Sequence, residues 1–228
     1  MNKILLYIAI LGMVLVVSRS ITQKKKQTKK GVYKMKLSKN ATFDDIVKYI
    51  SINLEGGYYH PDMLKDGRVK DQRYKNSGET LWGIDRKVVE TPEEAKFWAI
   101  IDNYGARKKW KWNEFPLNEN LFKLASQIIK KEFDRLMNKY VSTDLQRVIY
   151  SNPLLLLNFV YAVYNGAGWF RAFAEKIQTA YDSGNHDAES LNNLFNALRK
   201  NNIGLIGNKY NSSLIAQTGN KISNINLV

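Results

Sequence analysis

The spacing of hydrophobic residues after residue 41 predicts a largely helical protein. Apolar side chains recur at i, i+3, i+4 and i+7 in most segments, which is typical of amphipathic helices. Proline or a capping residue opens several of these segments, and glycine or asparagine closes them. The predicted helices cover residues 43–54, 92–104, 117–140, 153–164, 168–182 and 187–200, with one more short helix near 208–217.

The first of these helices has clear end signals. Thr42 is the expected N-cap, with Asp45 at the third helical position. Two glycines, Gly56 and Gly57, should stop the helix directly after Glu55. A negative charge at the C-terminal end of a helix is unfavourable to the helix dipole. Glu55 is therefore a candidate for a role other than helix stability.

The remaining segments complete the fold prediction. Residues 58–84 contain Pro61, Gly67, Gly78 and Gly83, and we interpret them as loops with a short β-hairpin. Residues 153–164 are apolar on nearly all sides but too short to span a bilayer, which indicates a buried central helix. The expected fold is one mostly helical α+β domain over residues 41–228, without internal repeats.

An apolar N-terminal segment precedes this domain. Residues 4–17 form an uninterrupted run, which has the length of a signal h-region and is short for a spanning helix. Residues 18–20 lack a clear cleavage site, so we favour a retained signal-anchor or transmembrane segment over residues 1–21. A cleaved signal peptide and a partner-binding helix are the alternatives.

Charge is concentrated in the same part of the chain. The net charge is +14, but residues 1–40 hold ten Lys and Arg and no acid. We expect residues 22–40 to be a polybasic linker, whose lysines at 24–39 would either bind anionic lipid or be solvated. Basic residues after an apolar run favour the cytoplasmic side, which conflicts with export. Because the folded part is nearly neutral, nucleic-acid binding through the domain is disfavoured.

Composition restricts the available chemistry. The chain has no cysteine, which excludes disulfides and thiolate chemistry. Only His60 and His186 are present, without partners at metal-ligand spacing, so we expect no metal site and no cofactor. If the protein is an enzyme, carboxylates are the expected catalysts.

Three short motifs occur in a characteristic order. They are Glu-Gly-Gly-Tyr at 55–58, Ser-Gly-Glu-Thr-Leu-Trp-Gly-Ile at 77–84 and Tyr-Asn-Gly at 164–166. A glutamate that ends the first helix, a Gly-x-Thr-x-x-Gly-Ile hairpin and an Asn-Gly break after a buried helix resemble the lysozyme-like superfamily. The pattern is most similar to glycoside hydrolase family 108, the phage and bacterial N-acetylmuramidases, over about residues 42–185. It departs from the family in the longer stretch between Glu55 and Thr80 and in Ser77, where the family has glycine.

The resemblance implies that Glu55 is the general acid. Cleavage of a β-1,4 glycosidic bond requires a carboxylic acid whose pKa is raised by a partly buried, apolar site. Glu55 borders the apolar stripe of its helix and precedes Tyr58 and Tyr59, which fits such a site. An ordinary solvated glutamate at a helix end is the competing interpretation.

The second catalytic role is open among several carboxylates. A nucleophile would lie about 5–5.5 Å from the acid, and a water-activating base about 6.5–9.5 Å from it. Glu79 lies inside the hairpin motif and is the first choice, with a surface charge as the alternative. Thr80 matches the family threonine and would position water or substrate. The other candidates are Asp62, Asp66 and Asp71.

Further residues are candidates for substrate binding. The aromatic rings of Tyr58, Tyr59, Trp82 and Tyr164 could stack on sugars or belong to the core. Asn165 could bind N-acetyl groups or cap the helix break.

Two charged features outside these motifs have competing interpretations as well. We expect Asp85 and Arg86 to form an ion pair that anchors the hairpin. The basic and aromatic residues of 107–112, with Trp110 and Trp112, are either a surface patch or a contact for wall polymer or lipid.

The resemblance leads to a functional expectation. The protein would be a peptidoglycan-cleaving glycosidase of the muramidase type, membrane-anchored and facing the cell wall or associated with a phage virion or lysis system. A lytic transglycosylase acting on the same bond is the nearest alternative. A non-catalytic, membrane-associated structural or ejection protein with a degenerate lysozyme fold is the alternative from another class.

Overall fold

The computed structural model describes residues 35–55, 57–68, 78–105, 107–111, 115–201 and 209–228. The expected signal-anchor and most of the polybasic linker lie outside these residues. So do Gly56, Asp71, Ser77 and Trp112.

Helices make up most of the described chain, together with a small antiparallel sheet, so the α+β, mostly α prediction is confirmed. They include a π-helical turn, Ile50–Leu54, and a 3₁₀ turn, Arg107–Lys109. In chain order, the elements are α1 Phe43–Tyr49, β1 Tyr58–Tyr59, α2 Pro61–Lys65, β2 Thr80–Leu81, β3 Ile84–Asp85, α3 Pro92–Asp102, α4 Glu119–Tyr140, α5 Thr143–Ser151, α6 Pro153–Tyr164, α7 Ala167–Asp182, α8 Ala188–Lys200 and α9 Lys209–Ser223.

Local signals account for the first helix. The Thr42 side chain accepts a hydrogen bond from the Asp45 N–H at 3.2 Å, and the Asp45 carboxylate accepts one from the Thr42 N–H at 3.0 Å. This is the capping box that the sequence predicted. The helix then widens, because the Glu55 N–H donates to the Ile50 carbonyl, five residues back, at 2.8 Å. Such π-helical turns are rare and are frequent at functional sites.

The sheet contains three strands in the order β1-β2-β3. Tyr59 is opposite Thr80, and Leu81 is opposite Ile84. The β2–β3 turn has positive φ at both central residues, Trp82 at 52° and Gly83 at 75°. This is the geometry that suits a two-residue hairpin. The hairpin was predicted, and β1 adds a strand that the sequence pattern did not indicate.

Helix α6 lies at the centre of the core and packs against α1, α4, α5, α7 and α8. Leu155, Leu157, Phe159 and Val160 are fully buried. The helix was predicted as the buried central element, and that prediction is confirmed. The core surrounds it on nearly all sides because the helix has almost no polar face.

The folded domain begins before residue 41, where we expected a linker. Leu37 is fully buried, and its carbonyl accepts a hydrogen bond from the Val228 N–H at 3.0 Å. The Lys39 N–H donates to the Val228 carbonyl at 3.0 Å, and Met35 bonds to the Asn53 side chain. The basic composition of this stretch concealed a short segment that pairs with the chain's last residue.

Three further helices differ from the prediction. Helix α2 lies within residues 58–84, which were interpreted as loops with a short hairpin. Helix α5 was not predicted either, and the Ser142 hydroxyl caps it by accepting a hydrogen bond from the Leu145 N–H. Helix α9 is longer than the short segment expected near 208–217, since it continues to Ser223. Within the described residues, each helix is either too short or too polar to cross a bilayer.

Candidate functional site

Glu55 ends the π-helical turn after α1, immediately before the first strand. The turn places it beside the C-terminal end of α6, where Tyr161 and Tyr164 lie one helical turn apart. The rings of these tyrosines are stacked, with centroids 5.9 Å apart. The predicted position of Glu55 at a helix end is therefore observed, next to an aromatic wall.

The carboxyl of Glu55 lies in an environment that favours its protonated form. Part of the residue is exposed to solvent, but most of the carboxyl's surroundings are protein atoms. This burial raises the pKa of Glu55, and the effect outweighs a hydrogen bond from Tyr161 and the charge of Lys221, which both lower it. A carboxyl that holds its proton at higher pH and still contacts solvent is suited to general acid catalysis.

Helix α9 contributes two residues to this site. Thr218 is buried, and its hydroxyl donates to the Tyr161 hydroxyl at 3.4 Å. Since Tyr161 has one hydroxyl proton and accepts from Thr218, that proton is available for the Glu55 carboxylate. Lys221 lies one turn later on the same helix, and its charge acts on Glu55. The C-terminal helix thus orients the tyrosine that contacts the candidate acid.

Tyr164 forms another side of the same site. Its hydroxyl is fully buried, and burial followed by the nearby charge of Glu55 raises its pKa. The hydroxyls of Ser51 and Tyr164 are close enough to interact, but neither makes a well-formed hydrogen bond with a described residue. Buried hydroxyls without partners are rare in folded proteins and call for an explanation such as a catalytic role. Tyr164 therefore stays a candidate binding residue.

The hairpin contacts this site through its turn. A side chain at Gly83 would place its Cβ 2.9 Å from Tyr164 Cδ1. Glycine is therefore needed at this position both for the positive φ and for the close approach to Tyr164. Thr80, on β2, is partly buried, and its hydroxyl donates to the Gly78 carbonyl at 3.3 Å. Its assignment as a positioning residue stays a prediction.

Glu79 lies in a network of charged side chains. Its carboxylate accepts hydrogen bonds from the Tyr58 hydroxyl at 2.6 Å, Arg107 Nε at 2.8 Å and Arg86 Nη1 at 2.9 Å. Burial raises the pKa of Glu79, but these donors and their charges outweigh it, so that the pKa lies below its usual value. Asp102 joins the network through both arginines.

This network argues against the catalytic role expected for Glu79. A nucleophile or general base needs free lone pairs directed at substrate or water, whereas three donors already occupy this buried carboxylate. Arg86 pairs with Glu79 and Asp102, and not with the adjacent Asp85 as expected. The network instead connects the hairpin to α3 and the 3₁₀ turn, which is a structural role.

Burial also changes the interpretation of three aromatic candidates. Tyr58 and Trp82 are 0% exposed and Tyr59 is 1% exposed, so their rings are not available as platforms for sugars. Trp82 stacks on Phe122 with centroids 4.5 Å apart and contacts Phe115 edge-on. The sequence left these three rings open between a sugar-binding role and the core, and the structure places them in the core. Burial of the large apolar ring of Trp82 outweighs the steric cost of its positive φ.

Asn165 has a structural partner. Its side-chain oxygen accepts a hydrogen bond from Arg199 Nη1 at 2.9 Å. Arg199 is fully buried and also lies 5.3 Å above the Tyr161 ring. Burial lowers the pKa of Arg199 to about 9, so the guanidinium stays charged at neutral pH. Asn165 therefore fixes the end of α6 instead of facing substrate.

The remaining candidates have local partners. His60 caps α2 by accepting from the Asp62 N–H at 3.1 Å, and Asp66 pairs with Arg68. Trp110 packs edge-on against Tyr58, with centroids 4.9 Å apart. Within the described ranges, no group of three or more His, Asp or Glu side chains is arranged to hold a metal ion.

Comparison of the chain with protein-family models, curated proteins and solved structures finds no match. The sequence patterns pointed to Glu55 and Tyr164 but did not indicate Tyr161, Thr218 or Lys221. Two tyrosines at i and i+3 near the end of a largely apolar helix are the one signal that could have drawn attention to Tyr161.

Proposed function

We propose that this protein is a glycosidase that cleaves peptidoglycan between N-acetylmuramic acid and N-acetylglucosamine, with Glu55 as the general acid. The observation that carries the proposal is the partly buried Glu55 carboxyl, whose pKa is raised by burial at the end of a helix. Glycosidases need such a carboxyl to protonate the leaving oxygen. The proposal also includes a lysozyme-like fold, supported by the helix that ends in Glu55, the adjacent small sheet and the buried central helix.

The state of Glu79 favours a mechanism with one catalytic carboxyl. With Glu79 held by three donors, a second free carboxylate beside Glu55 is not supplied by the hairpin. In a lytic transglycosylase, the acid protonates the glycosidic oxygen, and the bond between that oxygen and C1 breaks. The resulting carboxylate then takes the proton of the muramyl 6-hydroxyl while the 6-oxygen bonds to C1. The protein's proton is restored and a 1,6-anhydro end forms. We keep this reaction as the second candidate on the same bond.

The proposed setting follows from the N-terminal segment. We propose that residues 4–21 anchor the protein in a membrane with the domain facing the wall, or retain it in a virion or lysis system. The lysines at 24–39 would add affinity for anionic lipid, at about 1 kcal/mol per base near the surface. Nucleic acid is not a proposed partner.

The test compares the full-length wild type with Glu55→Gln on purified peptidoglycan. Soluble muropeptides are identified by mass spectrometry. We expect fragments from the wild type and a loss of at least 100-fold in the variant, the scale typical of removing a general acid. Reducing ends would indicate hydrolysis, and 1,6-anhydro ends would indicate transglycosylation.

The matched control is Glu175→Gln, which removes an exposed carboxylate paired with Arg171. It should release muropeptides like the wild type. Thermal melting checks the fold: because the pKa of Glu55 is raised, ionisation costs stability as pH rises through that pKa, so Glu55→Gln should melt at or above the wild type at pH 7. A folded wild type that releases no fragments would leave the non-catalytic structural or ejection protein as the better interpretation.

A further inference from the structure

A groove along α8 has an unusual lining. Its floor is one face of that helix, formed by residues three, four and seven positions apart, and most of these are asparagine. Asparagine is a poor helix former, so this face is costly to the helix compared with alanine. Together with Asn152 at the start of α6, the floor residues are Glu189, Asn192, Asn193, Asn196 and Lys200.

Hydrogen bonding fixes the orientation of the buried amides below this groove. Arg199 can only donate, and its Nε lies 2.8 Å from one amide atom of Asn158, which must therefore be the oxygen. The nitrogen of Asn158 then donates to Asn192 at 2.9 Å and to Asn196 at 3.0 Å. Both of these residues must present oxygen inward. Their NH₂ groups consequently have to find partners elsewhere.

Those NH₂ groups are available at the groove. Both residues are buried, at 6% exposure, and neither the Asn192 nor the Asn196 Nδ2 has an acceptor among the residues that the structure describes. The Asn152 oxygen likewise accepts hydrogen bonds from the N–H groups of Leu154 and Leu155, and its NH₂ group has no acceptor among the residues that the structure describes. Lys200 adds a positive charge one turn beyond Asn196. The floor thus offers preorganised donors.

We propose that this groove binds a carboxylate. Several NH₂ donors beside a lysine match an acceptor-only anion, and hydrogen bonds to a charged acceptor are the stronger kind. Glu189 is the one acid in the lining and lies one turn before Asn192. Asn196 and Lys200 lie farther along α8, about 10 Å and 16 Å from it along the helix. We therefore expect the carboxylate at the Asn196 and Lys200 end of the floor, where the charge of Glu189 is largely screened.

The groove also has an apolar side that would contact the rest of the ligand. Leu154, Ile222 and Leu227 contribute to the lining. A carboxylate attached to a small apolar group fits this combination, and two sources provide it: the C-terminus of a peptide and a sugar acid. The groove is lined by neither Glu55 nor Tyr161, so this proposal does not depend on the proposed glycosidase activity.

The experiment uses the full chain with ¹⁵N-labelled asparagine and two matched pairs of probes. The first pair is N-acetyl-Leu-Ala with a free carboxylate and the same peptide as its amide. The second pair is N-acetylmuramic acid and N-acetylglucosamine, which differ by the lactyl carboxylate. We expect a saturable shift of the Asn192 and Asn196 side-chain NH₂ signals with a carboxylate probe and none with its neutral counterpart. The pair that responds identifies the source.

A surface substitution tests the charge without disturbing the buried amides. Lys200→Gln should weaken binding of the carboxylate probe by roughly tenfold. The matched control is Lys176→Gln, an exposed lysine on α7 outside the groove, which should leave the affinity unchanged. Absence of a saturable shift with both carboxylates, or equal shifts with the neutral probes, would overturn the proposal whether or not the protein cleaves peptidoglycan.

Discussion

Glu55 and Glu79 have opposite surroundings, and their pKa values move in opposite directions. Burial dominates at Glu55, where the opposing effects of Tyr161 and Lys221 are weaker, so its pKa is raised. At Glu79 the hydrogen bonds from Tyr58 and the two arginines outweigh burial, so its pKa is lowered. Divergent pKa values of this kind separate a proton donor from a permanent anion. Residue type alone gives both glutamates the same chemistry.

Substitution of Tyr161 by phenylalanine tests the surroundings of Glu55. The variant loses the hydrogen bond that lowers the pKa of Glu55, so this pKa should rise further. If Glu55 acts as the protonated acid, the alkaline limb of the pH–rate profile on peptidoglycan should move to higher pH. Tyr181→Phe, whose ring packs on His186, is the control. An alkaline limb at or below its wild-type position would contradict the role assigned to Tyr161.

Substitution of Glu79 by glutamine tests the structural network. Breaking a buried charged pair should lower the free energy of unfolding at pH 7 by about 3 kcal/mol. Because the pKa of Glu79 is lowered in the folded state, its stabilisation is present above the ordinary carboxyl range and is lost as pH falls through the lowered pKa. The difference between wild type and variant in urea unfolding should therefore shrink in acid. A variant with wild-type stability at pH 7 would show that the network is dispensable.

At the scale of elements, the hairpin depends both on its own turn residues and on helices that are distant in sequence. Its turn needs two residues with positive φ, and Gly83 satisfies this locally. Trp82 adopts the same region at a steric cost, because its ring fills a core site against Phe97 and Phe122. The position of the turn was predictable from glycine spacing. The inward direction of Trp82 was not, since it depends on helices that are distant in sequence.

Replacement of Gly83 by alanine should affect both stability and activity. Its φ of 75° is strained for alanine, at a cost of about 1–2 kcal/mol. The new Cβ would also lie 2.9 Å from Tyr164 Cδ1, so the Tyr164 ring would have to shift. Gly67→Ala is a matched control, since its φ is 76° with no atom within 4 Å of the new Cβ. We expect chemical unfolding to show a larger loss for Gly83→Ala, and only this variant to lose muropeptide release. Equal effects of both substitutions would mean that the Tyr164 contact has no consequence.

At the scale of the whole molecule, the two ends of the described chain are joined. Leu37 and Lys39 pair with Val228, and α9 packs closely on α8, where Gly219 lies against the Arg199 side chain. This arrangement places Thr218 against Tyr161 and brings the charge of Lys221 close enough to act on Glu55. The C-terminal helix is thus part of the candidate site and not an appendage.

Truncation tests where the domain begins. A chain that starts at residue 35 should melt like the full-length protein, because it keeps Leu37 and its hydrogen bonds to Val228. A chain that starts at residue 41 should lose about 2 kcal/mol, the value of burying one leucine. Thermal and urea unfolding of both chains measure the difference. Equal stability of the two would place the boundary at residue 41, as first expected.

The sequence by itself determined the helical class, most helix bounds, the hairpin and the position of Glu55 at a helix end. These features depend on hydrophobic periodicity, caps and glycines, which act over a few neighbouring residues. The capping box of Thr42 and Asp45 and the proline at the start of α6 are examples. Each could be identified from a stretch of about ten residues because the forces that specify it are local.

Only the tertiary structure decided which side chains surround each carboxyl. Tyr161 and Lys221 act on Glu55, and Arg107 reaches Glu79, across long sequence separations. The same packing buried Tyr58 and Trp82, for which the pattern alone had left both a sugar-binding role and a core position open. Desolvation, hydrogen bonding and charge pairing act between atoms that the fold brings together. No short stretch of the sequence carries a signal for these contacts.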